Sequence, residues 1–203
     1  LQVAAISSDA IGKMTSYQIV GLTSGQVSGL TSGQIQGLAT DQIKVMETRD
    51  LVRLSSDQVK FLTTDQLRAL TSDQVGALST LQLQAVSTDN ISKLRTDQIV
   101  ALTSAQVGAL SVDQIKNLTT DQVRAIQSSD LAALKSDQIR GLTTDAIVKL
   151  TTDQIAGLSS AQLGSLRTDQ IAKLTTDQVR SIETRDLVGL STDQIRTLSS
   201  DAI

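Results

Sequence analysis

The sequence predicts an all-α solenoid built from very short helices. Three observations support this prediction: an eight-residue unit repeats in strict phase, each unit carries a helix-start signature, and aromatic residues are almost absent. The unit has the consensus L-[TS]-[TS]-D-Q-[IVL]-x-x, which is clear at residues 62–67 and 150–155. Self-similarity at a fixed short period is typical of repeat arrays, in which each unit contacts its neighbours. We number the eight positions of this octad from its leucine.

The two aliphatic positions exclude a continuous helix and a continuous strand. Position 1 is apolar in all 25 octads that begin between residues 6 and 198, and position 6 is always Ile, Val or Leu. At about 100° per residue, the apolar stripe of a continuous helix would rotate by about 80° per octad. In a continuous strand, positions 1 and 6 would point to opposite faces. The chain must therefore change direction once in each octad.

Positions 1 to 6 carry the signature of a helix start. A hydroxyl at position 2 and Gln at position 5 form a capping box, and the apolar positions 1 and 6 form a hydrophobic staple. Position 4 is Asp in 16 octads, and 13 of the 18 basic residues lie at positions 7 or 8. These charges complement the helix dipole. Position 8 is often Gly or Ala, which suits a tight exit or close packing. Each octad is therefore predicted to be one short helix followed by a corner.

The sequence leaves open which hydroxyl caps the helix. Position 3 is Ser or Thr everywhere except at Val112. Position 2 lacks a hydroxyl in seven octads, namely at Ala39, Glu47, Arg95, Gln127, Lys135, Arg167 and Glu183. Either hydroxyl could be the N-cap, and the other would then lie in the turn between units.

Stability is expected to depend on contacts between octads. Isolated helices shorter than about 12 residues are marginal in water, and one octad buries only two aliphatic side chains. The sequence therefore predicts a superhelical rod with an aliphatic interior and nearly one-dimensional, collective stability. A β-solenoid with one rung for every few octads is the alternative fold.

A second period is superimposed on the octad. The octads that begin at Ile6, Met46, Val86 and Ile126 lack Leu at position 1 and Gln at position 5, and they recur every 40 residues. A fifth such octad, at Ile182, follows 56 residues later. If these deviating octads mark one face, five octads make two turns and seven make three, which gives roughly 20 residues per coil turn. Duplication history without geometric meaning would produce the same pattern.

The strict phase predicts one repeat region. No shift of the octad divides residues 1–203, so we expect a single uninterrupted octad-repeat solenoid. Both ends of the sequence fall inside an octad, and neither has a polar terminal unit. We therefore expect a segment of a longer array.

The composition argues against an active site. The chain has no Cys and no His, which removes the usual soft metal ligands and the commonest general base. Ser and Thr recur as repeat positions rather than as one activated nucleophile. The Asp residues of position 4 lie eight apart without the Gly-assisted loop of a calcium site. We therefore expect no enzyme activity, no catalytic residue, no metal site and no cofactor.

Charge and hydropathy also limit the partners. The formal net charge is −3, so no face is expected to be basic enough to bind nucleic acid. No apolar run approaches the length of about 18 residues that would indicate membrane insertion. Arg49–Asp50 and Arg185–Asp186 are interpreted as solvated pairs or local substitutes for Gln, with partner contacts as the alternative. The isolated aromatic residues Tyr17 and Phe61 are expected to fill gaps or to lie on the surface.

Two resemblances follow from the motif. Residues 118–126 (LTTDQVRAI) resemble the helix opening of the DNA-reading repeats of transcription activator-like effectors, whose longer unit, base-reading residues and Gly-rich loop have no counterpart here. Over essentially the whole chain, the octad resembles the low-complexity L-T-T-x-Q-[IV] tracts of large secreted and cell-surface proteins of Gram-negative bacteria. This resemblance implies an exported, structural or adhesin-like protein, and it carries over no functional residue.

The combined prediction is a non-enzymatic repeat region that lies outside the cell or at its surface. It would act as a rigid spacer, a stalk or a self-assembling filament segment, because each octad offers similar contacts to the next. The expected partners are neighbouring repeats and other copies of the chain, stacked head to tail or laterally. The alternative is an adhesin-like binding module whose surface recognises a protein or a glycan.

Overall fold

The predicted all-α solenoid is confirmed. The computed structural model describes residues 3–201, with side chains described up to residue 198. Every element of regular secondary structure in this range is helical, and the helices follow the octad. The chain forms two compact units, residues 1–102 and 103–203, which are described separately below.

The first unit begins with a 3-10 segment, η1 (Val3–Ala5), and continues with twelve short helices. These are α1 (Ser8–Gly12), α2 (Ser16–Val20), α3 (Ser24–Ser28), α4 (Ser32–Gly37), α5 (Thr40–Val45), α6 (Thr48–Leu51), α7 (Ser56–Val59), α8 (Thr64–Ala69), α9 (Ser72–Ala77), α10 (Thr80–Ala85), α11 (Thr88–Ile91) and α12 (Thr96–Val100).

The second unit repeats the same arrangement as far as its last two elements. Its elements are α13 (Ser104–Ala109), α14 (Val112–Asn117), α15 (Thr120–Ala125), α16 (Ser128–Leu131), α17 (Ser136–Gly141), α18 (Thr144–Lys149), α19 (Thr152–Ala156), α20 (Ser160–Ser165), α21 (Thr168–Ile171), α22 (Thr176–Ser181), the 3-10 segment η2 (Leu187–Gly189) and α23 (Thr192–Asp201).

From α1 to α22, each octad turns its corner at positions 1 and 2. Leu70 and Thr71 precede α9 with φ/ψ angles of −53°/139° and −71°/161°, so two successive residues are extended. The helix then begins at position 3. No residue of the described range has a positive φ. The corner therefore needs no left-handed glycine, and the frequent Gly at position 8 has another cause.

Position 2 is the N-cap, which answers the question that the sequence left open. The Gln66 backbone N–H donates to Thr63 Oγ1 at 3.2 Å, and the Thr63 N–H donates to Gln66 Oε1 at 2.9 Å. Where position 2 is Ala39, the second bond remains, from the Ala39 N–H to Gln42 Oε1 at 2.7 Å. Half of the capping box therefore survives the loss of the hydroxyl.

The core consists of positions 1 and 6, as predicted. Leu62 and Leu67, which hold these positions in one octad, are each 2% exposed. The same two positions supply nearly all buried apolar side chains in both units. Because they flank the helix start, the residues that form the staple also form the interior.

Within each unit, most helices pack against the third helix along the chain. In the first unit the pairs are α1 with α4, α2 with α5, α3 with α6, α5 with α8, α6 with α9, α7 with α10 and α9 with α12. In the second unit they include α13 with α16, α14 with α17, α15 with α18, α17 with α20 and α19 with α22.

The expected coil turn of roughly 20 residues is wrong. Hydrogen bonds between neighbouring turns join residues that are 25 to 31 apart, so one turn takes between three and four octads. The estimate assumed that the deviating octads mark one face at whole numbers of turns. A change at position 5 instead alters how two turns are bonded, and five octads span between one and two turns.

Close packing between turns explains the glycines at the helix ends. A Cβ atom on Gly37 would lie 2.6 Å from the carbonyl oxygen of Ser8, and one on Gly189 would lie 2.0 Å from that of Ser160. Real Cβ atoms do not approach oxygen so closely. Position 8 was thus correctly expected to allow close packing, whereas a left-handed exit does not occur.

Candidate functional site

The amide of the glutamine at position 5 is the most regular polar feature of the chain. Gln66 is 2% exposed. Its Oε1 accepts from the Thr63 N–H of its own octad, while its Nε2 donates to the carbonyls of Ile35 and Leu38, both at 2.7 Å. These carbonyls lie 31 and 28 residues earlier, in the preceding turn. We call this arrangement a glutamine bracket, because one side chain caps the start of its own helix and also bonds to the preceding turn.

The glutamine bracket recurs in both units. In each case Nε2 donates to the carbonyl 28 residues earlier at 2.5–2.8 Å, from Gln34, Gln42, Gln58, Gln66, Gln74, Gln82, Gln98, Gln138, Gln154, Gln162, Gln170, Gln178 and Gln194. No buried side-chain nitrogen or oxygen of the described residues lacks a partner. The buried polar side chains are therefore satisfied by the repeat itself.

The sequence pattern indicates only half of this role. It predicts the glutamine as part of the capping box, which Glu would complete equally well. Yet position 5 is Gln in 18 octads and is never Glu. A carboxylate has no N–H to donate, so the use of Gln and never Glu is a signal that a second, donating contact exists.

Four of the five deviating octads make a different bond between turns. Ser104, at position 3 of its octad and 26 residues before Asp130, donates from Oγ to Asp130 Oδ1 at 2.5 Å. Asp130 is 6% exposed. Equivalent bonds join Ser24 to Asp50, Thr64 to Asn90 at 2.7 Å and Ser160 to Asp186 at 2.8 Å. The shorter side chain at position 5 therefore reaches a hydroxyl where glutamine would reach two carbonyls.

In each of the two Arg–Asp dipeptides, the arginine lies at the surface and the aspartate bonds inward. Arg49 Nε lies 2.5 Å from Glu47 and 3.9 Å from Asp50, and Arg185 Nε lies 2.9 Å from Glu183. Both arginine side chains are about three-quarters exposed. The arginines therefore pair at the surface with the acid two residues earlier, while the aspartates bond inward to serine.

An open groove of about 650 Å³ crosses the second unit. Arg140, Arg167, Asp137, Asp169 and Asp193 contribute its charged lining. Arg167 Nη1 donates to the Arg140 carbonyl in the preceding turn, and its Nε donates to Asp169 Oδ1 at 3.0 Å. The lining thus combines guanidinium, carboxylate and hydroxyl groups.

The arginine that donates to the preceding turn also lowers the pKa of a neighbouring aspartate. The hydrogen bond from Arg167 lowers the pKa of Asp169 below its usual value, and Coulomb attraction adds to this effect against the opposing effect of burial. In the first unit, a hydrogen bond from Arg95 likewise lowers the pKa of Asp97. There Arg95 Nη2 lies 2.8 Å from Asp97 Oδ2, and Ser72 donates to the same oxygen at 3.0 Å.

Three other features considered in the sequence are metal ligands, the two aromatic residues and membrane-spanning helices. Within residues 3–201, no group of three or more His, Cys, Asp or Glu residues could hold a metal ion. Tyr17 is 92% exposed and Phe61 is 41% exposed, so both aromatic side chains reach the surface. No helix of the described part of the chain has both the length and the hydropathy needed to cross a bilayer.

The fold and the brackets together define the chain as an α-helical repeat protein. The ALTTAQ repeat model matches residues 3–40, 43–80, 80–112 and 123–160, and the chain belongs to this family. The first, second and fourth matches begin at residues 3, 43 and 123, at multiples of the 40-residue spacing of the deviating octads. The match confirms the L-T-T-x-Q repeat type. A comparison with curated proteins gave no match.

Proposed function

We propose that the chain is a non-enzymatic structural repeat region of a bacterial extracellular or cell-surface protein, where it acts as a spacer, stalk or filament-forming segment. The glutamine bracket carries this proposal. Each bracket uses the donors and acceptors of a buried side chain to join one turn to the next. Each added octad makes the same contacts with its neighbours as the others do. Such a region can therefore be lengthened without new kinds of contact, which suits a spacer of adjustable length.

The length of the array tests the structural role. Chains of six, twelve and twenty-four octads should melt at progressively higher temperatures, because each added octad supplies another interface while the ends stay the same. Circular dichroism at 222 nm measures the transition. Equal melting temperatures across the series would overturn the proposal, since they would mean that octads fold without support from their neighbours.

The location outside the cell is tested separately. Antibodies against the chain should label intact cells that make the parent protein, and permeabilisation should add little signal. Labelling that requires permeabilisation would contradict an extracellular or surface location. A cytosolic protein of the same cells, labelled only after permeabilisation, is the control.

Other copies of the chain are the proposed partners. Because each turn presents similar groups above and below, stacking of copies would extend the same contacts. Sedimentation velocity over a hundredfold range of concentration should reveal species larger than the monomer. A single monomeric species throughout the range would contradict self-assembly. The proposed role as a spacer does not depend on it.

An adhesin-like binding module is the second candidate, favoured by the groove in the second unit. Its charged side chains Arg140, Asp137 and Asp193 are exposed to a protein or glycan ligand. A glycan array and a pull-down from host-cell surface extract would test this function. Signals that Arg140→Ala abolishes and Arg124→Ala preserves would favour it, because Arg124 is exposed in the same unit and does not line the groove.

A further inference from the structure

Both asparagines of the chain lie in the triplet Asn-x-Ser/Thr, which is the acceptor sequence for N-glycosylation. The triplets are Asn-Ile-Ser at residues 90–92 and Asn-Leu-Thr at residues 117–119. The octad places an apolar residue and usually Ser or Thr after every position 8, so the second triplet alone indicates little. The surroundings of the two side chains decide which of them an enzyme can reach.

Asn90 is held inside the coil. It lies within helix α11, its Oδ1 accepts from Thr64 Oγ1 of the preceding turn at 2.7 Å, and its backbone N–H donates to Ser87 Oγ at 3.2 Å. The hydroxyl of Ser92 is engaged as well, because it donates to the Asp89 carbonyl at 2.7 Å. A transferase would have to break the bond between turns before it could use the Asn90 amide.

Asn117 is open to solvent. It is the last residue of helix α14, and its side chain is exposed. The next two residues are extended, with φ/ψ angles of −61°/138° at Leu118 and −69°/160° at Thr119. Asn117 Nδ2 donates to the Asp113 carbonyl at 2.8 Å. Since an amide nitrogen carries two hydrogens, a sugar can replace one while the other keeps this bond.

The corner after Asn117 lacks the side-chain bonds that join other corners to the following turn. A bracket bonds position 5 to the carbonyl 28 residues earlier, and the residue 28 positions after Leu118 is Ala146. Where position 5 is Asp or Asn, it bonds instead to the hydroxyl 26 residues earlier, which here belongs to Thr120. The methyl group of alanine makes neither bond.

This difference affects how easily the corner opens. Leu118 is 5% exposed, so an enzyme that grips the whole triplet must lift this residue from the core. Local opening costs less where fewer hydrogen bonds hold the backbone. The exposed acceptor side chain of Asn117 therefore lies at a corner that opens more readily than a bracketed one.

We propose that Asn117 is an acceptor site for N-glycosylation, with a nucleoside diphosphate sugar as the donor. In the active site of a separate transferase, Nδ2 attacks the anomeric carbon of the sugar. A C–N bond forms, and the C–O bond to the diphosphate breaks. The diphosphate leaves with the bonding electron pair, and one Nδ2 proton passes to a base of the enzyme. The attached sugar lies on the surface of the coil, where such modifications add bulk and solubility. The site does not depend on the proposed role as a spacer.

Glucosylation of the folded full chain tests the site. The chain is incubated with uridine diphosphate glucose and a soluble N-glycosyltransferase, and its tryptic peptides are analysed by mass spectrometry. The peptide of residues 117–124 should gain one glucose. The peptide of residues 69–93, which contains Asn90, should gain at least about fivefold less, the ratio for one typical hydrogen bond. Asn117→Gln should remove the modification.

A synthetic peptide of residues 112–124 shows that the enzyme accepts the triplet. If this peptide is glucosylated and residues 117–124 of the folded chain are not, the proposal is overturned. Modification of Asn90 at the same rate as Asn117 would overturn it as well, because the inward bond would then offer no protection.

The variant Lys149→Asn supplies a matched comparison. Lys149 is exposed and ends helix α18, and its replacement creates Asn-Leu-Thr at residues 149–151 of the same unit. That corner has a bracket, from Gln178 Nε2 to the Leu150 carbonyl at 2.7 Å. Within this variant, Asn117 should be glucosylated about fivefold faster than the introduced asparagine. Equal rates, or a faster reaction at the bracketed corner, would contradict the selection of Asn117.

Discussion

A glutamine side chain accepts and donates hydrogen bonds at the same time, and the octad uses both capacities. At Gln66, the oxygen binds the N–H at the start of its own helix and the nitrogen binds two carbonyls of the preceding turn. Glutamate would keep the first contact and oppose the second, because its oxygens would face carbonyl oxygens. A single residue type therefore couples helix capping to stacking.

Removal of a bracket should cost more than removal of a cap. Gln66→Ala leaves the buried Leu38 carbonyl without its donor and takes one of two donors from the Ile35 carbonyl, so we expect the free energy of unfolding to fall by about 2–3 kcal/mol. The control is Gln18→Ala, because the hydrogen bonds of the exposed Gln18 lie within its own octad. Urea unfolding measures both variants. Equal losses would show that the bonds between turns add nothing to the cap.

The hydrogen bond between Ser104 and Asp130 should be kept when Asp130 is replaced by asparagine and lost when it is replaced by alanine. Asn90 already accepts from Thr64 in the first unit, so Asp130→Asn should change the free energy of unfolding by less than about 1 kcal/mol. Asp130→Ala removes the acceptor of Ser104 and should cost roughly 1–2 kcal/mol. Urea unfolding distinguishes the two. A large loss in the asparagine variant would mean that the charge, rather than the hydrogen bond, is required.

The lowered pKa of Asp169 predicts a small acid-dependent loss of stability. Because the folded pKa lies below the ordinary value of 3.8, the ion pair with Arg167 contributes fully above pH 3.8 and is lost as the pH falls through the folded pKa. Melting temperatures between pH 2 and pH 6 should therefore fall less steeply in Asp169→Asn than in the parent chain. The effect is small, since the pair is exposed and screened. Parallel curves would contradict the assignment.

At the scale of single residues, the sequence predicted the chemistry of the helix start well. The capping box at Thr63 and Gln66 and the buried staple positions Leu62 and Leu67 all follow from local spacing. The groove around Arg140 was not predicted, because its walls come from turns about 27 residues apart. Local patterns do not reveal which side chains the coil brings together.

At the scale of the element, two extended residues and one short helix form the unit. Helices of four to six residues are not stable alone, so the aliphatic interior and the brackets must hold them in place. The corner has no left-handed residue. The sequence pattern predicted the helix and the corner, but it could not distinguish a small residue needed for a turn from one needed for close packing.

A glycine pair within one unit separates these two roles. Gly37→Ala should destabilise the chain by about 1–3 kcal/mol, because the new Cβ would lie 2.6 Å from the Ser8 carbonyl oxygen. Gly25→Ala should instead stabilise it by roughly 0.5–1 kcal/mol, because its Cβ meets nothing within 4 Å and alanine favours the helix. Thermal unfolding measures the difference. The opposite order would contradict the close contact at Gly37.

At the scale of the whole molecule, the same contacts between octads recur in both units and stack the turns within each unit. Within each unit, most helices pack against the third along the chain, and each bracket bonds to the carbonyl 28 residues earlier. The 40-residue recurrence of the deviating octads was visible in the sequence, and the family matches follow the same spacing. The number of residues per turn was not predictable from this recurrence, because it depends on corner angles that no residue pattern encodes.

Cysteine cross-linking tests the central claim, that turns stack 25 to 31 residues apart, most directly. The chain has no native Cys, so Ser104→Cys with Asp130→Cys introduces one pair, 26 residues apart, at a bonded position. Ser104→Cys with Arg124→Cys, 20 residues apart, is the control pair. Under mild oxidation the first pair should form an intramolecular disulfide rapidly and the second should remain reduced. Rapid cross-linking of the second pair, with the first left reduced, would contradict the stacking of turns described here.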